Sequence, residues 1–159
     1  MYAASVPVFQ RYLGQLARMV DAGAAHGCDL QARLVPDMLP LGLQIDIATQ
    51  FSLRACAPLA GREVPPFGQG SASFADLHAR IHRAQAFLAE LTPAQMADSA
   101  KRLCTDQAGQ ATVALPGAVF LSQYALPNFF FHLTSAYALL RQQGVPLGKA
   151  DFDGWHRYG

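Results

Sequence analysis

Charge is what this sequence has least of. Only 14% of its 159 residues are Asp, Glu, Lys or Arg, against about 25% in an average soluble domain. The 12 basic and 11 acidic residues leave a net charge of +1, and neither sign gathers into a block. Without a basic patch there is nothing to hold a phosphate backbone, so nucleic acid is not an expected partner. Long apolar runs are missing too, since no stretch approaches the roughly 20 residues of a membrane-spanning helix. Cysteine is scarce: Cys28, Cys56 and Cys104 are widely spaced and odd in number. That pattern supports neither a disulfide framework nor a zinc knuckle, and predicts free, buried thiols. The opening MYAASVPVFQRYLGQLARMV has no basic start and no long apolar stretch, so no secretory leader is expected and the predicted location is cytoplasmic. GxSxG, Walker A, GxGxxG and HExxH are all absent. A nucleophilic hydrolase therefore has no support.

What is present is apolar. Residues of hydrophobic type make up 52% of the chain, and a chain of this length buries roughly two-thirds of its unfolded surface. A single domain over residues 1–159 is expected, with part of its sparingly charged surface available to an oligomer interface.

Helical periodicity dominates. Phe9, Leu13, Leu16 and Val20 recur at helical spacing, and DAGAAHGCD ends that first helix in a turn around Gly27. Asp37 is a plausible N-cap for a second helix running from Met38 through DMLPLGLQIDIATQFSLRACAPLA, with Pro40 in its first turn. AGREVPPFGQGSA reads as a surface loop. A third helix opens at Ser73, its seam made by Phe74, Leu77, Ile81, Ala84, Leu88 and Leu91. Thr92, Pro93 and Gln95 form a capping-box pattern for a short helix to about Ala100. RLCTDQAGQATVALP alternates weakly around Ala108 and Gly109, as a small hairpin or an irregular excursion. The last long helix begins between Ala118 and Pro127 and runs to Gln143, where Gly144 and Pro146 stop it. The tail carries Phe152, Trp155 and Tyr158 and is expected to fold back over the helices. These elements predict an all-α, antiparallel four-helix bundle, with the hairpin or excursion before its last long helix.

One polar pattern interrupts the apolar faces. Asn128 and His132 lie four apart in ALPNFFFHLTSAYALLR, on one stripe that continues to Ser135 and Leu139. Such a pair can meet one metal ion or one ligand, or the two can satisfy each other and nearby carbonyls. Gln44 lies between Leu41, Ile45 and Ala48 on the second helix, able to bond across a bundle core although a poor transition-metal ligand. Arg33 and Asp37 flank that helix's start, where an ion pair can close a pocket mouth or simply cap the helix. Asp46 falls on a different face and is expected in solvent. His78 and His82 form HxxxH at the flank of the third helix's seam, without a carboxylate at metalloprotease spacing, and read as a solvated or interface pair.

MYAASVPVF, ARLVPDMLPLGLQI, ALPNFFFHLTSAYALLR and GVPLGKADF together resemble an uncharacterised bacterial family similar in fold to the DinB/YfiT-like metalloenzymes. The resemblance implies a four-helix bundle, often a homodimer, with a divalent metal such as zinc, nickel or iron held by three histidines. It implies that some relatives transfer low-molecular-weight thiols. The first histidine position falls at or near Gln44, and the pair on the last helix falls on Asn128 and His132. Only His132 keeps an imidazole, so the polar stripe looks like a reworked metal pocket.

Three functions stand as expectations. In the first, a small organic molecule binds between the second and last long helices, with Arg33, Asp37, Gln44, Asn128 and His132 as its polar contacts. Phe129, Phe131 or Tyr137 would supply walls, and Lys149 would assist from the tail. In the second, His132 acts as base or metal ligand in a metal-assisted or thiol-dependent transferase. In the third, the polar core specifies the packing of a structural dimer.

Overall fold

The structure, a computed structural model, describes residues 1–68 and 70–156. Its long helices are α1 (Tyr2–His26), α2 (Leu41–Leu59) and α3 (Phe74–Ala89). A 3-10 turn at Ala94–Met96 leads into an antiparallel hairpin, β1 (Leu103–Ala108) and β2 (Ala111–Pro116). A final helical run comes next in three parts: α4 (Gly117–Val119), a π-helical turn (Phe120–Ala125) and α5 (Leu126–Gln142). A short α6 (Lys149–Asp153) completes the order. The fold is mainly helical, but the expected simple four-helix bundle is modified by the hairpin, the broken last helix and α6.

α2 is the central element, packing against α5 on one side and α3 on the other, while α1 meets α3, α5 and α6. The apolar stripes converge on one core, with Phe9, Leu13, Leu16, Ile45, Leu77, Ile81, Leu88, Phe120, Phe129 and Leu133 all fully buried. Phe9 meets Phe129 edge to face at a centroid distance of 4.8 Å. Phe129 is thus a core residue, and the expectation that it walls a pocket is corrected.

Local chemistry explains the helix ends. Gly27 takes φ 74° beyond α1, a conformation that costs glycine little, and its N–H bonds back to the Ala24 carbonyl. Ser73 caps α3 by accepting from the Asp76 N–H. α2 starts later than the sequence suggests, at Leu41 with Pro40 in the capping position, and Asp37 is exposed and caps nothing. The reason is tertiary. The first free N–H groups of α2, on Leu41 and Gly42, donate to the carbonyls of Ala32 and Leu30 in the preceding loop, replacing a side-chain cap. At Thr92 the capping pattern is half realised: the Gln95 side chain accepts from the Thr92 N–H at 2.8 Å, but only a 3-10 turn forms beyond it.

The last helical run is interrupted because Pro127 has no N–H to give to the carbonyl of Gln123 and its ring crowds that carbonyl. Widening the preceding turn to π geometry relieves both, which places the irregular turn just ahead of Pro127. Gly144 sits just past α5 with φ 92°. The tail folds back as expected: Gln15 of α1 donates to the carbonyls of Ala150 and Asp151, and Phe152 packs edge-on to Tyr12 and Tyr137. Tyr158 lies outside the described residues.

Asp46 is the clearest departure from the sequence reading. It is 2% exposed, not solvated. Its carboxylate accepts from the Ser71 N–H and hydroxyl at 2.8 and 2.9 Å and pairs with Arg80 at 3.3 Å. Arg80 is itself 6% exposed and lies over the Phe67 ring. This buried pair ties α2 to α3 and pins the end of the intervening loop.

No helix among the described residues is long and apolar enough to cross a membrane. The three cysteines are free thiols, two buried and Cys28 half-buried.

Candidate functional site

Gln44 and His132 meet across the α2–α5 interface. Gln44, 1% exposed, extends from the first turn of α2. Its amide nitrogen donates to the Leu39 carbonyl at 3.2 Å, which leaves its carbonyl oxygen directed at His132. That oxygen lies 2.7 Å from His132 Nδ1. Because an amide oxygen can only accept, Nδ1 must carry the proton. In the neutral ring Nε2 therefore holds a lone pair.

The neutral form is favoured. Burial, and secondarily the positive charge of Arg54, push the His132 imidazole below its ordinary range. Its plane stacks on Phe51 at 5.9 Å and 17°, and the edge of Phe131 closes on it at 5.1 Å. Phe51 lies one face-repeat beyond Gln44, seven residues along α2, so both project toward α5.

A second polar group adjoins this pair. Arg54 donates through Nε to both carboxylate oxygens of Asp106, at 3.0 and 2.9 Å, and through a terminal nitrogen to the Gln107 carbonyl. Tyr124, in the π turn, donates its phenol to Asp106 at 2.9 Å. Burial first, and then the Asp106 carboxylate, push the Tyr124 phenol up to about 12. Arg54 also lies 4.4 Å from the Phe51 ring centroid, on the ring that carries His132. Sequence reasoning missed Phe51, Arg54, Asp106 and Tyr124 as site residues. Phe51 could have been found from its spacing to Gln44, and Arg54 from its place one turn beyond Phe51; Asp106 and Tyr124 come from separate elements with no spacing to betray them.

The remaining expected residues lie apart from this contact. Asn128 is half-buried and donates to the Tyr124 carbonyl at 2.7 Å, satisfying the widened turn beside Pro127. Ser135 donates to the Phe131 carbonyl within its own helix. Arg33 is exposed and bonds the Met38 carbonyl, and no ion pair joins it to Asp37. Tyr137 reaches toward the Leu147 carbonyl and the tail, and Lys149 is exposed on α6, which packs on α1. Phe131 alone of the expected walls is open to solvent, at 56%. His78 pairs with Asp21 of α1 at 3.3 Å and stands beside His82 on the outer side of α3.

The donor set does not fit a three-ligand transition-metal site. Gln44 spends its carbonyl on His132, the Asn128 amide nitrogen turns back to its own helix, and neutral amides bind such ions weakly. Among the described residues no group of three or more His, Cys, Asp or Glu side chains is placed to hold a metal ion.

Residues 1–153 match the family described as a domain of unknown function, DUF1993. The chain belongs to that family. No curated protein matches this DUF1993 chain. Among solved structures it is similar to a DinB family member protein from Shewanella denitrificans, with 28% identity and a TM-score of 0.85. The match covers 99% of this chain and 94% of that one. The helical framework of the DUF1993 chain is therefore that of a DinB family protein, with a Gln–His contact between α2 and α5.

The His132 environment predicts a specific acid sensitivity. A folded-state value below the unfolded one of about 6.5 means that the unfolded chain binds more protons in that window. Stability is therefore complete above the unfolded value and falls as pH drops toward the folded one. Denaturant unfolding of wild type and His132→Gln between pH 7 and pH 5 should show the wild type losing more stability on acidification. Equal slopes would place His132 in an unperturbed, solvated setting.

Proposed function

We propose that this chain binds a small organic molecule at the α2–α5 junction, with His132 Nε2 accepting a polar hydrogen from it. The observation that carries this reading is the relay from the Leu39 carbonyl through the Gln44 amide to His132 Nδ1, which sets one tautomer and leaves one lone pair. The amide holds the ring from the Nδ1 side, while Nε2 has no hydrogen-bond partner among the described residues. The surroundings suit an apolar ligand. Phe131, whose ring meets His132 edge-on, lines a shallow cleft of about 480 Å³ with Leu34, Phe130, Thr134, Ser135 and Ala138; His132 adjoins this cleft through Phe131 and does not line it. Val35, Leu39 and Leu43 are also exposed apolar side chains, close in sequence to Gln44.

Thiol-dependent transfer is the second reading, favoured by the same neutral imidazole, since a lone pair on Nε2 can take a thiol proton. It differs only in the step after binding. A homodimer burying the exposed apolar side chains is compatible with either.

The test is NMR of 15N-histidine-labelled protein titrated with a panel of small apolar phenols and thiols. Saturable movement of the His132 Nε2 resonance is expected for at least one class, with binding weakened severalfold, up to about tenfold, in Gln44→Leu, which removes a neutral, orienting hydrogen bond worth about 0.5–1.5 kcal/mol. An Nε2 resonance indifferent to every compound would remove the proposal. Consumption of an added electrophile together with a bound thiol would turn the binder into a transferase.

A further inference from the structure

The Phe51 ring carries three contacts: the His132 imidazole stacked at 5.9 Å, the Tyr124 ring edge-on at 5.9 Å, and the Arg54 guanidinium 4.4 Å from the centroid. Phe51 is itself 5% exposed, so it has little freedom to rotate away from any of them. Arg54 is not a mobile surface cation. It is held by both oxygens of Asp106, by the Gln107 carbonyl and by the Tyr124 phenol oxygen at 3.3 Å. Asp106 and Gln107 belong to β1, so the grip on Arg54 comes from the hairpin.

The hairpin has little deep packing of its own to account for it. Leu103 at its start is 66% exposed, and Cys104 is its one buried side chain. Val113 and Leu115 meet the core only half-buried, and a two-stranded ribbon is marginal by itself. Here the hairpin delivers one carboxylate to one arginine, and that arginine rests against the aromatic ring on which the histidine stacks.

We infer that Arg54 is a positioning residue for His132, acting through Phe51, and that the hairpin, by way of Asp106, is what holds Arg54 in place. This rests on the reading of His132 as the ligand-facing group, but it concerns the ring's orientation and charge in the ligand-free chain. A planar guanidinium gripped at two nitrogens restrains an aromatic ring more firmly than an ammonium does. The phenyl ring then gives the imidazole a fixed surface, while Gln44 fixes its rotation about that surface from the Nδ1 side. The charged and titratable groups around His132 are Arg54 on α2, Asp106 on β1 and Tyr124 in the π turn; Arg54 and Asp106 offset one another, and the Tyr124 phenol is neutral at physiological pH. Burial first, and then Arg54, disfavour the imidazolium.

The experiment is NMR titration of the full-length chain, tracking the His132 ring resonances without added ligand. In Arg54→Met the His132 midpoint should rise, because a nearby positive charge is gone. In Asp106→Asn the ring protons of His132 should lose part of the aromatic shift that the Phe51 face imposes. A hairpin that merely stabilised the fold would lower the melting temperature and leave those ring shifts alone. Arg54→Lys keeps the charge but loses the two-nitrogen grip, so it should keep a low midpoint and lose ring shift as Asp106→Asn does. It also keeps the test alive should Arg54→Met fail to fold. Wild-type ring shifts in folded Arg54→Lys and Asp106→Asn overturn the inference, as does a wild-type midpoint in folded Arg54→Met. Because no ligand enters the measurement, failure of the ligand titration described above leaves this outcome unaffected, and the reverse also holds.

Discussion

Asp46→Ala is expected to lower the unfolding free energy by about 3–5 kcal/mol, the usual cost of removing one partner from a buried ion pair. Arg80 would keep its charge at 6% exposure with its carboxylate gone. The Ser71 N–H and hydroxyl would lose their acceptor at the same time, freeing the loop end that precedes α3. Such a loss is a large part of the roughly 5–15 kcal/mol that typically separates folded from unfolded domains. Urea unfolding monitored by circular dichroism measures it directly. Asp46→Ala with Arg80→Met should recover a substantial part, because the uncompensated charge disappears and only packing and the Ser71 bonds remain lost. A change below about 1 kcal/mol in Asp46→Ala, the range of exposed pairs, would mean that water reaches the pair in solution.

Gly117→Ala is the second large effect. A methyl group at this position would stand 2.0 Å from the Ser99 carbonyl oxygen and 2.9 Å from Leu59 Cδ2. The Leu59 side chain can yield; the backbone carbonyl cannot without moving its segment. That carbonyl accepts from the Arg102 N–H at 3.2 Å, and Arg102 in turn bonds the Leu59 carbonyl at the end of α2. The Gly117 N–H itself donates to the Arg102 carbonyl at 2.8 Å. One methyl thus pushes on the junction where the hairpin returns to the helices. Overpacking of a close backbone approach costs about 1–3 kcal/mol and sometimes more, and the upper end is expected. Gly109→Ala is the matched control: at φ 60° it strains the hairpin turn, but nothing lies within 4 Å of the added methyl, so about 1–2 kcal/mol is expected. Gly117 has no positive φ to strain, so equal destabilisation by the two substitutions would show that the Ser99 segment yields to the added methyl.

The two substitutions also separate the hairpin from the core. Gly117→Ala should disturb the seating of β1 and with it the Asp106–Arg54 contact, whereas Asp46→Ala acts at the α2–α3 contact and the loop end at Ser71. His132 ring shifts should therefore respond to the first and stay near wild type in the second.

Much of the framework is legible in the residues. α1 and α3 announce themselves because each buries one stripe and exposes the rest, so apolar side chains recur at helical spacing. Gly27, Ser73 and Gly144 mark ends by conformational preferences that hold in any context. α2 is harder to delimit, since its start is capped by the carbonyls of Leu30 and Ala32 and not by Asp37. The hairpin alternates only weakly in sequence although its burial alternates, because its inward face mixes Asp106 with Cys104, Val113 and Leu115 and is mostly half-buried.

The site divides in the same way. Gln44 and His132 stand out as polar residues on apolar faces, and their meeting becomes clear once α2 and α5 pack together. Asn128 stands out equally, yet its amide serves the backbone, because Pro127 widens the turn that precedes it. Asp46 was misplaced because helical phase tells which residues share a face and not what covers that face. Its cover, Ser71 and Arg80, arrives from a loop and from α3. The sequence by itself determined the helical class, the order of the helices and the presence of polar side chains on apolar faces at Gln44 and His132, all of which depend on local propensity and periodicity. The tertiary structure alone decided where charges were buried, and that Asp106 and Tyr124 met Arg54 beside Phe51. Those outcomes are contacts between elements distant in the chain, for which spacing carries no information.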